Sequence, residues 1–111
     1  MLDPVSQNIV KYMDVVAQRQ KLVAANIANV DTPGYRTQDL DFEAEMNRQT
    51  AGEPARPIGV PDLKVKNDGN DVSIDRESKL LAENGLRFRL ATSLLRDRFN
   101  MLKQAVQSDK S

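Results

Sequence analysis

Apolar residues recur at alternating spacings of four and three toward both ends of this chain, a rhythm that commits both ends to long helices with one sticky side. In the first half Ile9, Met13, Val16, Gln20, Val23, Ile27 and Val30 keep a single seam, in which Gln20 is the polar member. Val10, Ala17 and Ala24 widen that stripe, while Lys11, Asp14, Gln18, Arg19 and Lys21 fall mainly on other faces. Asp3 before Pro4 is a strong opening. The carboxylate can accept from orphan amides, and proline at the first helical position loses nothing. The spacing predicts a helix over 4–29, ~40 Å long at about 1.5 Å per residue.

The second seam runs through Leu81, Asn84, Phe88, Ala91, Leu95, Arg98, Leu102 and Ala105, broadened by Leu80, Leu94 and Met101. Asp75 is the expected N-cap, with Glu77 adding negative charge at the positive end of a helix that runs to about 106. Gly85 weakens it locally by about 1 kcal/mol relative to alanine. Two stripes of comparable length, joined by a connection that permits reversal, predict an antiparallel, coiled-coil-like hairpin in a mainly α fold. Gln20, Asn84 and Arg98 interrupt the seams. They set register, lie at the seam's edge as it drifts round the helix, or bond to a neighbouring molecule, and spacing alone does not choose.

Between the helices the pattern loosens, which divides the chain into 1–35, an irregular middle segment over 36–74, and 75–111, with the two ends forming one structural domain. Thr32-Pro33-Gly34-Tyr35 places Pro and Gly where a type II turn wants them. Residues 42–48 have room for a short helix, and 50–61, rich in Gly and Pro, read as a mobile loop. Leu63 and Val65, the Asn67-Asp68-Gly69-Asn70 stretch, then Val72 and Ile74 give a weak β-hairpin signal. Asp39, Asp41, Glu43 and Glu45 form an acidic cluster without an EF-hand pattern, read as solvated or partner-facing, with Leu40 and Phe42 as apolar anchors. Asn26 and Asn29 near the turn read as backbone partners at an ordinary helix end, and Tyr35 as a ring covering that end.

Composition narrows the function. Sixteen basic residues balance sixteen acidic ones, so no net field draws the chain to nucleic acid or an anionic membrane. With no Cys and no His, thiolate metal sites, disulfides and the commonest general base are all absent. No catalytic, cofactor-binding or metal residue is therefore assigned. Residues 1–10 lack the charged and apolar parts of a cleavable secretory signal, and no run approaches the roughly twenty apolar residues needed to insert in a membrane.

The stretch Ala25-Asn26-Ile27-Ala28-Asn29-Val30-Asp31-Thr32-Pro33-Gly34-Tyr35 resembles the N-terminal signature of the flagellar rod and hook proteins. Its extension Arg36-Thr37-Gln38-Asp39-Leu40-Asp41-Phe42, with Val72-Ser73-Ile74-Asp75-Arg76-Glu77 and Leu81-Ala82-Glu83-Asn84-Gly85-Leu86-Arg87-Phe88, is similar to the proximal rod branch. Residues 44–70 show little likeness, Gly85 stands where the branch has Ala, and Phe88 where Tyr is common. The resemblance implies a non-enzymatic structural subunit of the basal-body rod, part of a hollow shaft carrying torque from the membrane ring to the distal rod and hook. It implies Ile9, Met13, Val16, Val23, Ile27, Leu81, Phe88, Leu95 and Leu102 as helix and assembly seams, and Ala25, Asn26, Ala28, Asn29, Thr32, Pro33, Gly34 and Tyr35 as the signature. Implied partners are copies of itself, other rod subunits, the ring-to-rod adaptor and the type III export apparatus, which would deliver it to the periplasmic space without a cleaved signal. The competing readings are another axial rod subunit of the family and a soluble helical-hairpin adaptor or export chaperone.

Overall fold

The computed structural model describes residues 3–48 and 53–109. Its elements, in chain order, are α1 (Pro4–Ala28), β1 (Gln38–Asp39), α2 (Phe42–Asn47), β2 (Ile58–Gly59) and α3 (Ile74–Asp109). The molecule is a rod of 70 × 26 × 19 Å. Its length comes from α3, ~54 Å at about 1.5 Å per residue, against ~37 Å for α1. The helices run antiparallel: Arg98 meets Asp3 at 3.5 Å at one end, and Asn26 meets Glu77 at the other.

α1 begins as its sequence dictates. Asp3 accepts from the Ser6 amide at 3.0 Å and from the Ser6 hydroxyl at 2.8 Å, with Pro4 at the first helical position. The chain then reverses through the expected turn, where the Tyr35 amide donates to the Thr32 carbonyl at 3.2 Å and Gly34 takes φ 75°. At the other end of the molecule's sequence, Ser73 rather than Asp75 caps α3. Its hydroxyl accepts from the Arg76 amide at 3.2 Å and its carbonyl from the Glu77 amide at 3.0 Å, so the helix starts two residues earlier than an Asp75 cap would set it.

The core lies along the face shared by α1 and α3, where Ile9, Val15, Val16, Val23, Leu80 and Ala91 are buried. Met13, Ile27 and Leu95 are half-buried. On α3 the face against α1 uses Leu80, whereas Leu81 is 43% exposed, and Phe88 and Leu102 are exposed too. The apolar stripe of α3 is wider than one helix can cover, so a chosen four-three register fits its flank as well as its centre.

The small sheet also differs from expectation. β1 and β2 pair antiparallel, Gln38 with Gly59 and Asp39 with Ile58, so part of 50–61 is strand; positions 50–52 lie outside the described residues. The turn expected at 67–70 does form, with the Lys66 amide donating to the Asn70 carbonyl at 2.8 Å and the Gly69 amide to the Lys66 carbonyl at 2.9 Å. No strands flank it, because the chain after it is claimed by the signature turn. The Asp71 amide donates to the Tyr35 carbonyl at 3.3 Å, and the Gly34 amide to the Asp68 carbonyl at 2.9 Å. The two turns stack so closely that a Cβ on Gly69 (φ 86°) would sit 3.4 Å from the Gly34 Cα. α2, capped by Asp41, packs on α1 through an edge-on contact of Phe42 with Tyr12, ring centroids 5.3 Å apart.

Candidate functional site

Asn26 sits three residues beyond Val23 on the buried face of α1 and is 0% exposed. A carboxamide there needs partners for both ends. Its Nδ2 donates to the Gln38 carbonyl at 2.8 Å and to the Glu77 carboxylate, while its Oδ1 accepts from the Gln38 amide at 3.1 Å and the Tyr35 hydroxyl at 3.0 Å. One side chain thus pairs with the Gln38 backbone as a strand would, and ties the end of α1 to the start of α3.

Asn70, also 0% exposed, does the same for the turn. Its Nδ2 donates at 2.8 Å to the carbonyls of both Asn29 and Thr32, and its Oδ1 accepts from the Val72 amide at 2.8 Å. Asn29 closes the last turn of α1 through the Ala25 carbonyl at 2.8 Å, and Thr32 bonds Asn29 at 3.0 Å. Asp71 accepts from the Thr37 amide at 2.6 Å and hydroxyl at 2.8 Å. The signature residues Asn26, Asn29, Thr32, Gly34 and Tyr35 therefore meet in one polar clasp, and Tyr35 is a hydrogen-bond donor in it rather than only a cover. Ala25 joins through its carbonyl, which accepts from Asn29, while Ala28 and Pro33 shape the helix end and turn. Sequence reading missed Asn70, Thr37, Asp71 and Glu77. Asn26 carried a usable signal, since a polar residue on the inward face of an apolar seam must find partners.

The acidic cluster is only half the solvated segment expected: Asp41 and Glu43 are exposed, whereas Asp39 and Glu45 turn inward. Asp39 is buried and gripped by Arg19 (2.8 and 2.9 Å) and Arg76 (2.5 Å); Arg76 in turn reaches the fully buried Glu77 at 2.8 Å. Glu45 is buried as well, taking the Arg56 amide at 2.9 Å and the Arg48 guanidinium, while Asp41 serves as the α2 cap. Among the described residues no group of acidic side chains is arranged to hold a metal ion.

Burial pushes the Asp39 carboxyl up, but the Arg19 and Leu40 hydrogen bonds and Arg76 outweigh it, leaving the pKa lowered. Glu45 and Asp71 follow the same balance: burial raises each, and the Arg56 amide with Arg48, or the Thr37 amide and hydroxyl with Arg36, lower it further. A carboxylate whose pKa is lower folded than unfolded stabilises the fold above the unfolded value and loses that contribution as pH falls through the folded one. The urea midpoint should therefore be flat near neutrality and drop as pH passes below about 4. A midpoint that rises on acidification would contradict these assignments.

Outside the clasp, two apolar grooves flank the helix pair among the described residues. On one flank of the helix pair a groove of about 720 Å³ is lined by Val5, Ile9, Tyr12, Leu90, Leu94 and Met101 among others, with Leu90 60% and Leu94 57% exposed. On the other flank a smaller groove of about 460 Å³ is lined chiefly by Val16, Ala17, Ala24, Asn84, Gly85 and Phe88. Asn84 is 2% exposed, so it lies in the seam and not at its edge. Asn84 Nδ2, Gln20 Oε1 and Arg98 Nε are buried without a hydrogen-bond partner among the described residues, while Gln20 Nε2 donates to the Leu81 carbonyl at 3.4 Å.

Comparison with known proteins adds to this geometry. A family profile described as "Flagella basal body rod protein" matches residues 16–36, the second half of α1 and the signature turn. The flagellar basal body rod protein FlgB of Borrelia hermsii is 32% identical over an alignment covering 87% of this chain and 91% of that protein. The chain belongs to the FlgB family. FlgB of Escherichia coli strain K12 is 31% identical, with 86% of this chain and 88% of that protein aligned, and FlgB of Salmonella typhimurium is 30% identical, with 86% and 87% aligned. The profile match covers Asn26, Asn29 and Tyr35, the α1 and turn side of the clasp. In this FlgB-family chain no helix among the described residues is long and apolar enough to cross a membrane.

Proposed function

We propose that this chain is a structural, non-enzymatic subunit of the flagellar basal-body rod, building its proximal part together with copies of itself and other rod subunits. Membership of the FlgB family supports the rod assignment, and one observation carries the mechanism. A helix that has already spent one face on α1 keeps Leu90, Leu94 and Met101 more than half exposed along its flank. Such a stripe is stabilised by burial against neighbours, at about 25 cal/mol per Å² of apolar surface removed from water. Packed helices deform little before contacts are lost, so an array joined this way resists twisting and transmits torque from the membrane ring to the distal rod and hook. The clasp keeps the two helices in fixed register while load passes through them. On this reading the base of the array meets the ring-to-rod adaptor, and the subunit reaches the periplasmic space through the type III export apparatus without a cleaved signal.

The test is complementation of a strain lacking its own copy. The native chain should restore basal bodies and swimming, whereas Ile27→Asp or Leu95→Glu, each placing a carboxylate at a half-buried seam position, should abolish incorporation and motility. Normal swimming with either variant would count against the proposal.

A further inference from the structure

Residues 53–61 form a strap whose sequence makes it stiff. Pro54, Pro57 and Pro61 recur through Glu53-Pro54-Ala55-Arg56-Pro57-Ile58-Gly59-Val60-Pro61, each fixing its own φ and restraining the residue before it. Nothing greasy holds this strap down. Every residue from 53 to 69 is exposed or half-buried, and Ile58 is 47% exposed. The contacts that bind it are polar. The Ala55 amide donates to Gln18 Oε1 at 3.1 Å and the Arg56 amide to Glu45 Oε1 at 2.9 Å, Arg48 donates to the Pro54 carbonyl at 3.0 Å and pairs with Glu53 at 3.4 Å, and β2 pairs with β1. Glu45 sits at the centre of these contacts. It is buried, and its other oxygen takes the Arg48 guanidinium, so one carboxylate on α2 holds both the strap's main chain and the arginine that grips it. The strap ends at Pro61-Asp62, where Asp62 takes φ 64°, a left-handed backbone uncommon for a residue with a side chain.

We infer that this strap is a hinged flap: it lifts from α1, β1 and α2 as one stiff unit, pivoting about Asp62 and latched by Glu45, while α1, α3 and the clasp between them stay closed. Unequal attachment carries this. The helix pair is held by the buried Ile9, Val16, Val23, Leu80 and Ala91, and the clasp by the fully buried Asn26 and Asn70, so opening either exposes core or strands buried amides. Lifting the strap brings no buried side chain of its own into water, and it hands main-chain groups to a solvent that takes their hydrogen bonds in exchange. The prolines decide that it moves whole, since a segment with φ fixed at three places has little freedom to peel residue by residue. Opening returns Glu45 and the side of β1 that pairs with β2 to water, and so alters one flank of the subunit without loosening its helices. The inference goes beyond the rod reading and stands without it.

The test is amide exchange, followed residue by residue on the full chain in solution. Ala55 and Arg56 report the strap, and Val16 and Leu80 report the helices. In the native chain the strap amides should exchange at least about tenfold faster than the helix amides and ignore low urea, which speeds the helix amides, because local opening exposes little surface. Val23→Ala, a cavity in the core, should speed Val16 and Leu80 and leave Ala55 and Arg56 where they were. Glu45→Gln should speed Ala55 and Arg56 by about tenfold, as the carboxylate that holds Arg48 and the Arg56 amide becomes neutral. Pinning gives the converse. Gln38 and Gly59 stand opposite each other, the Cα atoms of such a pair lie about 4.5–5.5 Å apart, within reach of a disulfide, and a Cβ at Gly59 meets nothing within 4 Å. The chain has no cysteine of its own, so Gln38→Cys with Gly59→Cys, once oxidised, should slow Ala55 and Arg56 until they exchange no faster than the helix amides, and a reductant should restore them. Four results would each overturn the inference: strap and helix amides exchanging together in the native chain, strap amides quickened as much as helix amides by Val23→Ala, strap amides unmoved by Glu45→Gln, or strap amides still fast when pinned.

Discussion

Replacing Asn26 by leucine should lower the stability of the folded chain by about 3–5 kcal/mol, read as a fall in the urea midpoint at neutral pH. Leucine fills similar space but strands four partners at once: the Gln38 amide and carbonyl, the Tyr35 hydroxyl and the Glu77 carboxylate. Glu77 matters most, since it is 0% exposed and would be left with Arg76 among the described residues. Hydrogen exchange should lose protection first at the C-terminal end of α1 and the first turns of α3, because that is where the clasp joins them. Asn26→Asp should be damaging for a different reason: it removes both Nδ2 donations and sets a second carboxylate beside Glu77, so its cost should grow as pH rises. A loss under about 1 kcal/mol for the leucine variant would mean that apolar packing alone holds the register.

The second large effect is expected at Asp39. Asp39→Asn keeps the shape of the side chain but leaves the mostly buried Arg19 facing a neutral amide, while Arg76 retains Glu77. Breaking a buried ionic group by neutralising one partner costs about 3 kcal/mol or more, chiefly because the Arg19 charge has then lost water without compensation. The variant should also lose part of the drop in stability below pH about 4, since the lowered carboxyl that produces it is gone. Comparing urea midpoints across pH for the two proteins separates this from a generic packing defect, which would shift the whole curve down without changing its slope.

Both predictions concern polar groups, and that is where sequence reading was weakest. The helices were legible because their periodicity, the Asp3-Pro4 opening and the Thr32-Pro33-Gly34-Tyr35 stop all point the same way. In the acidic cluster Asp41 and Glu43 are exposed as read, but Asp39 and Glu45 were misread because carboxylates are ordinarily exposed. Nothing local reveals that Arg19, twenty positions upstream, and Arg76, far downstream, converge on Asp39. Likewise β1 and β2 are two residues each, too short to show alternation, and they pair across a loop whose ends carry no strand signal. On α3 the neighbours Leu80 and Leu81 both fit a four-three spacing, and only the partner helix decides which turns inward. The clasp lay half in view. Asn26 was read as a backbone partner at an ordinary helix end, and it does bond the Gln38 backbone, but Asn70 and Asp71 become intelligible only once the second turn is stacked on the first.

The clasp lies at one end of α3, and the part of α3 that outruns α1 lies at the other. One end is locked by a knot of amides and carboxylates, and the other projects bare into solvent. An object so made has a heading, as an arrow does. Copies repeated in register along one axis would share that heading, giving the stack unlike tips: a finished face at one extremity and an unfinished one at the other, where growth by addition has somewhere to happen.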